Sequence, residues 1–447
     1  MPRFERRSVV PVSAEELCAW HGRPGAFERL NPSFDPVEVE ERTGGLEVGA
    51  RTVIRMSVGP VKQRWVAEHT AYEPGRMFRD EQTSGPFAKW VHTHRFEPRA
   101  DGTSELIDEI DYELPMGAMG RVFGDGFTQD TLERMFRYRH ALTVGDLTRH
   151  AQFRDRPRLT FAVTGATGLV ASTLIPFLTT GGHTVKPVTR KGDSFDAKAF
   201  DGADVVINLA GAGVADERWT DARKKLLRDS RIAYTKRLRD AGAKAKVWLQ
   251  GSAIGIYGDR GDEELTEASS AAAGQPGDVF SKGPAFLAEL CADWEGAAVG
   301  AADRVVSTRI GIVQSARGGA LAKLLPPFLM GAGGPMAGGS SWQPCVSIED
   351  LIGQLYFVAM NDSISGPVNC VGREPVTNGE YAKVLGRVVH RPAIAPLPGF
   401  VLRTMFGELA DGALLASQRV MPSKLVSAGF QYLHPTLEEG LRFTLGR

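Results

Sequence analysis

Cysteine is scarce in this chain: four in 447 residues, at Cys18, Cys291, Cys345 and Cys370. No two form a Cys-x-x-Cys pair or a disulfide-like spacing, so a reducing cytoplasm is the expected location. Net charge is absent too, with 53 basic residues against 53 acidic ones. That balance offers nothing to nucleic acid or to an anionic membrane surface. No apolar leader is visible, because Met1-Pro2-Arg3-Phe4-Glu5-Arg6-Arg7 is charged, and no signal peptide is expected. Long apolar helical runs are missing as well. The stretches Leu159 to Gly182 and Leu324 to Ile348 carry no charge. Gly165, Gly168 and Pro176 break the first, while Gly and Pro crowd the second, so no membrane span is expected. Internal repeats and low-complexity tracts are also lacking.

What is present is an ordinary globular composition, 43% hydrophobic and 24% charged, in a chain long enough for two to three domains. Residues 1–150 have a character of their own. Alternating segments recur at Arg51 to Met56, Trp65 to His69, Lys89 to Phe96 and Glu105 to Leu114, and Ala100-Asp101-Gly102 reads as a hairpin turn. A long helical pattern follows, with Leu132, Met135, Phe136, Leu142 and Leu147 on one side. Strands closed by one long helix imply an α+β module with its helix across a curved sheet. The polar stretch Arg149 to Arg158 reads as a linker. From residue 159 to 394 strands and helices alternate, which implies an α/β domain with a mostly parallel, doubly wound sheet. Residues 395–447 are helical again, punctuated by Pro396, Pro398 and Pro422.

The α/β domain opens on a nucleotide-binding pattern. The strand Leu159-Thr160-Phe161-Ala162-Val163 breaks into Thr164-Gly165-Ala166-Thr167-Gly168-Leu169-Val170, and a helical pattern follows. Gly165 permits a tight turn, and Gly168 lets backbone approach a pyrophosphate at the helix N-terminus. Ala171 takes the third small position. A glycine turn that binds nothing is the alternative, but the strand–turn–helix context favours a dinucleotide. The second strand ends in Thr189-Arg190-Lys191. An acidic residue there would bind the ribose hydroxyl of NAD, whereas Arg190 suits the 2′-phosphate of NADP. A solvated basic strand end is the other reading of the same residues. The expected cofactor is NADP(H), with NAD(H) as the second choice.

Asn208-Leu209-Ala210-Gly211 and Ser252-Ala253-Ile254-Gly255-Ile256-Tyr257-Gly258 resemble the extended short-chain dehydrogenases, the nucleotide-sugar epimerase group. More narrowly, residues 159–447 resemble an atypical epimerase-like family sometimes labelled SulA-type cell-division inhibitor. Asp293-Trp294-Glu295, Arg309-Ile310-Gly311-Ile312-Val313, Gly333-Gly334-Pro335, Pro375-Val376-Thr377-Asn378 and Ser417 to Pro422 carry that match. The tail resembles the small domain of unknown function that closes this family. The resemblance implies a Rossmann-like fold. It places the cofactor against Gly165, Thr167, Gly168, Leu169, Val170, Thr189, Arg190, Lys191, Asn208, Ala210, Gly211 and Arg309. One departure is sharp. Such enzymes use a Tyr-x-x-x-Lys pair for proton transfer beside the nicotinamide, and no Tyr here has Lys four positions later. Where the pair should lie, Phe286-Leu287-Ala288-Glu289-Leu290-Cys291 offers neither phenol nor amine. Ser252 and Tyr257 are the remaining catalytic candidates, although Ser252 is displaced by one position and Ala253 stands in the usual place. A structural role is the alternative for each.

The N-terminal module resembles the START-like (SRPBCC) helix-grip domains through Trp20 to Phe27, Gly85-Pro86-Phe87 and Phe136-Arg137-Tyr138-Arg139-His140. Such domains hold an apolar ligand between sheet and helix. Trp90, His92, His94 and Phe96 share one strand face, which would line that cavity. His-x-His with no nearby cysteine is set against a metal site, in favour of hydrogen-bonded or solvated histidines. Ser347-Ile348-Glu349-Asp350 resembles a carboxylate pair, but Ser-x-x-Asp before an apolar run reads better as a helix cap. Gly331 to Ser341 reads as a mobile loop over the cofactor cleft or a plain connector.

These features lead to an NADP(H)-binding epimerase-like protein acting on a small-molecule substrate as a reductase, epimerase or isomerase. Its proton transfer would use water, Ser252 or a substrate group. The rival is a non-catalytic cofactor-sensing or division-associated protein with a protein partner. A third reading makes the START-like module the active part, as a cyclase or hydrolase.

Overall fold

The computed structural model describes residues 2–58, 61–115, 117–191, 194–241, 245–272 and 285–447. The chain divides into two compact units, the first of residues 1–157 with 176–182 and 446, the second of 158–175, 183–445 and 447.

The first unit is a seven-stranded antiparallel sheet. Its order from one edge is Arg3–Val10, Ser104–Glu113, Lys89–Pro98, Met77–Ser84, Val61–Glu73, Arg51–Val58 and Glu38–Thr43. Alternation makes these strands, since every second side chain faces inward. Gly102 turns the expected hairpin in the left-handed region, at φ 82°. Asp101 Oδ1 accepts from the Thr103 N–H at 3.0 Å to close it. The helix Gly117–Ala151 brings Leu132, Phe136, Leu142 and Leu147 into the core. Two shorter helices, Ala14–Gly22 and Ala26–Leu30, complete the unit. The expected linker begins too early, because this long helix runs through Arg149 and His150 to Ala151. Cations in a last turn suit the negative end of the helix dipole, so their polarity marks a helix terminus.

The second unit is built on a six-stranded sheet ordered Gly366–Cys370, Arg304–Ile310, Val247–Ala253, Val205–Asn208, Thr160–Thr164 and Thr184–Val188. Every pairing is parallel. Such strands are covered on both faces, which is why they read as apolar runs. The expected helix after Asp221 forms in pieces: Asp221–Arg228, a π-helical turn at Asp229–Ala233, then Tyr234–Asp240. In the tail, helices span Gly399–Phe406, Ser423–Ser427 and Leu437–Leu445.

Ser347 caps the helix Ile348–Met360, its hydroxyl accepting from the Asp350 N–H at 3.0 Å. The Asp350 carboxylate accepts from the Leu433 and His434 N–H groups at 2.7 and 3.2 Å, which ties the tail to this helix. Ser347→Ala is expected to cost about 1 kcal/mol, the usual value of an N-cap. A urea midpoint equal to that of the unmodified chain would refute it. The segment Gly331 to Ser341 departs from the mobile-loop expectation. Ala337 N–H donates to Leu397 O at 2.9 Å, and Ala395 N–H donates to Gly333 O at 3.1 Å. Met336 N–H donates to Asn378 Oδ1 at 2.6 Å. Backbone bonds pin this glycine-rich connector where side chains could not.

Candidate functional site

In the parallel sheet the chain order reverses beside Thr160–Thr164, whose neighbours are Thr184–Val188 on one side and Val205–Asn208 on the other. A crevice outside the carboxyl ends of strands at such a switch point is where open α/β sheets bind ligands. The turn Gly165 to Val170 sits there. Gly165 adopts φ 67°, and a Cβ on it would stand 2.9 Å from Leu209 O. Conformation and close approach thus both demand glycine. The Gly168 N–H closes the turn on Gly165 O at 2.8 Å. Thr167 and Gly168 are exposed, Leu169 and Val170 half-buried, and the helix Ala171–Thr180 leads away.

Thr164 joins this turn to the next strand end. Its hydroxyl donates to Asn208 Oδ1 at 2.6 Å and accepts from the Leu209 and Ala210 N–H groups at 3.1 and 3.2 Å. The Asn208 amide nitrogen donates to Thr235 Oγ1 and Gln250 Oε1 at 2.9 and 3.0 Å. Both donors of Asn208 are therefore spent within the protein. Asn208 thereby ties Thr164 to the neighbouring strands and aligns the Leu209 to Gly211 segment.

A cation that the sequence reading missed lies behind this segment. A Cβ on Gly211 would stand 2.9 Å from Arg231 Cζ. Arg231 is buried on the π-helical turn, its guanidinium 4.9 Å from the Trp294 ring centroid. Burial pulls its pKa down to about 10. Among the described residues no carboxylate pairs with it. Such π-bulges recur at functional sites, but no side-chain periodicity announces one. At the end of the second strand, Thr189 and Arg190 are exposed, and the Arg190 guanidinium lies 5.2 Å from the Tyr234 ring centroid. The side chain of Lys191 lies outside the described residues.

The catalytic candidates meet around an ion pair. Ser252 and Arg309 are register partners on adjacent parallel strands. Arg309 Nε and Nη2 donate to Glu295 Oε1 and Oε2 at 2.9 and 3.1 Å, and Ser252 Oγ donates to Glu295 Oε1 at 2.7 Å. Arg309 Nη1 donates to the Tyr257 hydroxyl at 2.9 Å, which in turn donates to Asn369 Oδ1 at 2.7 Å. Tyr257 is fully buried, and that burial raises its pKa. A buried phenol with its proton engaged is poorly placed to act as a base at neutral pH. Cys291, on the helix Phe286–Ala297, is buried with its thiol pushed up to about 12. Glu295 and Arg231 are the residues that spacing alone did not reveal, since their partners come from distant parts of the chain.

In the first unit, Trp90, His92, His94 and Phe96 are buried on one face as expected. Asp80 and Asp108 flank the two histidines from the neighbouring strands. Burial opposes ionisation of both carboxyls, but the imidazoles outweigh it and hold each below the ordinary range.

Comparison with known proteins fits this layout. Residues 1–149 match the polyketide cyclase/dehydrase and lipid transport family, residues 161–369 the NAD dependent epimerase/dehydratase family, and residues 397–444 a domain of unknown function. An epimerase family protein of Mycobacterium bovis is 38% identical over 304 residues, covering 64% of this chain and 97% of the relative. The human epimerase family protein SDR39U1 is 32% identical over 295 residues, covering 63% of this chain and 97% of the relative. A solved nucleoside-diphosphate sugar epimerase from Corynebacterium glutamicum, 30% identical, covers 99% of this chain and 90% of its own, with a TM-score of 0.78. The human protein SDR39U1 solved with NADPH, 29% identical, covers 64% of this chain and 99% of its own, with a TM-score of 0.58. Among the described residues no helix is long and apolar enough to cross a membrane. With its glycine turn at a sheet switch point and these relatives matched over nearly their whole length, the chain belongs to the epimerase family.

Proposed function

We propose that this protein binds NADP(H) across the Gly165–Val170 turn and uses it in an oxidoreductase or epimerase-type reaction on a small substrate. The observation that carries the reading is the exposed glycine turn at the switch point, with Arg190 at the end of the adjoining strand. Free N–H groups at the helix start favour the pyrophosphate, and the guanidinium favours a 2′-phosphate. The human relative solved with NADPH supports the same choice. Arg231, buried behind Gly211, would receive an anionic group of substrate or cofactor. Ser252 and Tyr257 act as positioning residues, Tyr257 by bonding Arg309 directly and Ser252 by bonding Glu295, the partner of Arg309. Proton transfer then passes to water or to a substrate group. The N-terminal module would hold an apolar ligand between its sheet and long helix.

Titration of the pure chain with NADPH, followed by cofactor fluorescence, tests binding directly. Arg190→Ala is expected to weaken NADPH by about 10–150-fold, the worth of a charge-assisted hydrogen bond, and to leave NADH almost unchanged. Equal losses for both cofactors would remove Arg190 from the phosphate site. Consumption of bound NADPH on adding carbonyl compounds tests turnover.

A further inference from the structure

The histidines of the N-terminal module form more than a hydrogen-bonded pair. His92 and His94 point to the interior from Lys89–Pro98, Asp80 pairs with His92 from Met77–Ser84, and Asp108 pairs with His94 from Ser104–Glu113. Their separations fall into two classes. On one side Asp80 Oδ1 lies 3.3 Å from His92 Nδ1 and 3.6 Å from His94 Nε2. On the other side Asp108 Oδ1 lies 3.0 Å from His92 Nε2 and 2.5 Å from His94 Nδ1. Asp108 Oδ2 meets His140 Nε2 at 2.7 Å, and His140 Nδ1 meets Ser8 Oγ at 2.9 Å.

We propose that Asp80, His92 and His94 form a three-ligand site for one first-row divalent cation of the zinc class, with Asp108 orienting both imidazoles from behind. Donor atoms about 2.0–2.1 Å from a tetrahedral zinc stand about 3.3–3.4 Å apart, and the Asp80 contacts lie close to that separation. Charge-assisted hydrogen bonds are shorter, at about 2.7–2.9 Å, so the Asp80 side is spaced for ligands around an ion. One donor atom from each of the three residues lies within 4.8 Å of the others, the one such grouping among the described residues.

The opposite side has the form of an outer shell. A metal-bound histidine gives its second ring nitrogen to a carboxylate or carbonyl, which fixes the ring and raises its basicity. Here both histidines turn that second nitrogen to the same carboxylate, and Asp108 is itself held by His140. Three protein ligands leave one position open, the form of a reactive zinc site and not of a closed structural one. The Asp80 side chain is 17% exposed against 5% and 10% for His92 and His94, so access lies on its side. Water or a ligand oxygen would fill that position.

The test uses the full chain, treated with a chelator, dialysed and titrated with Co2+ alone. One cobalt ion per chain is expected, with the intense visible absorption of a tetrahedral ion and displacement by Zn2+. X-ray absorption of the cobalt-loaded chain should report two imidazole ligands. Asp108→Asn should weaken binding by about 10–100-fold, as outer-shell changes do, and Asp80→Asn and His94→Gln by more. Cobalt binding no tighter than millimolar, a cobalt shell without imidazole, or unchanged affinity in His94→Gln would overturn the proposal. The spectroscopy of the unmodified chain decides the matter even where a variant fails to fold.

Discussion

Glu295→Ala is expected to lower the stability of the nucleotide-binding unit by about 3–5 kcal/mol, the cost of stranding one member of a buried ion pair. Glu295 receives two bonds from Arg309 and one from Ser252. The Arg309 and Glu295 side chains are only 8% and 16% exposed, so water cannot replace what is removed. In a unit of this size the loss corresponds to a fall of about 10 °C in the unfolding midpoint. Replacing both partners with apolar residues, as Glu295→Leu with Arg309→Met, should recover much of the loss, because no charge is then left unpaired. Ser252→Ala removes one hydrogen bond and should cost about 1 kcal/mol. Tyr257→Phe leaves Asn369 Oδ1 and one Arg309 N–H short of a partner and should cost about 1–3 kcal/mol. Thermal melts of the four variants measure this order. Turnover abolished in Ser252→Ala or Tyr257→Phe at unchanged melting temperature would overturn the positioning role and make those hydroxyls catalytic.

That network also marks the limit of what the sequence discloses. Strand and helix periods depend on near neighbours, so the parallel sheet, the hairpin at Asp101-Gly102 and the cap at Ser347 could be read directly. The turn at Gly165 and Gly168 could be read because its glycines serve a local backbone need. Glu295, Arg231, Asp80 and Asp108 could not. Each acquires its role from a partner on another strand or helix, and Arg231 owes its burial to a π-helical turn that shifts the side-chain period. Composition misled at two places for a related reason. The polar Arg149-His150 stretch is the last turn of a helix, and the side-chain-poor segment from Gly331 is pinned through its backbone. Backbone hydrogen bonds do not depend on side-chain polarity, so polarity could not report them.

The second large effect is expected at the glycine turn, where two substitutions should fail for different reasons. Gly165→Val places a β-branched residue at φ 67°, a conformation that costs L-residues roughly 1–2 kcal/mol before any clash. Its Cβ would also stand 2.9 Å from Leu209 O, so the turn must move off the neighbouring strand end. Both stability and NADPH affinity should fall, the latter by at least about 30-fold for a loss of 2 kcal/mol in donor alignment. Gly168 has no left-handed φ, and its Cβ would stand 3.0 Å from the Gly165 carbonyl on an exposed surface. With no left-handed φ to add to that one tight contact, Gly168→Val should melt closer to the unmodified chain than Gly165→Val does. Its side chain would still occupy the space through which the pyrophosphate reaches the helix start, so binding should be lost without unfolding. Paired measurement of melting temperature and NADPH dissociation constant separates the two cases. Wild-type affinity in Gly168→Val would move the cofactor away from this turn, whatever Gly165→Val does.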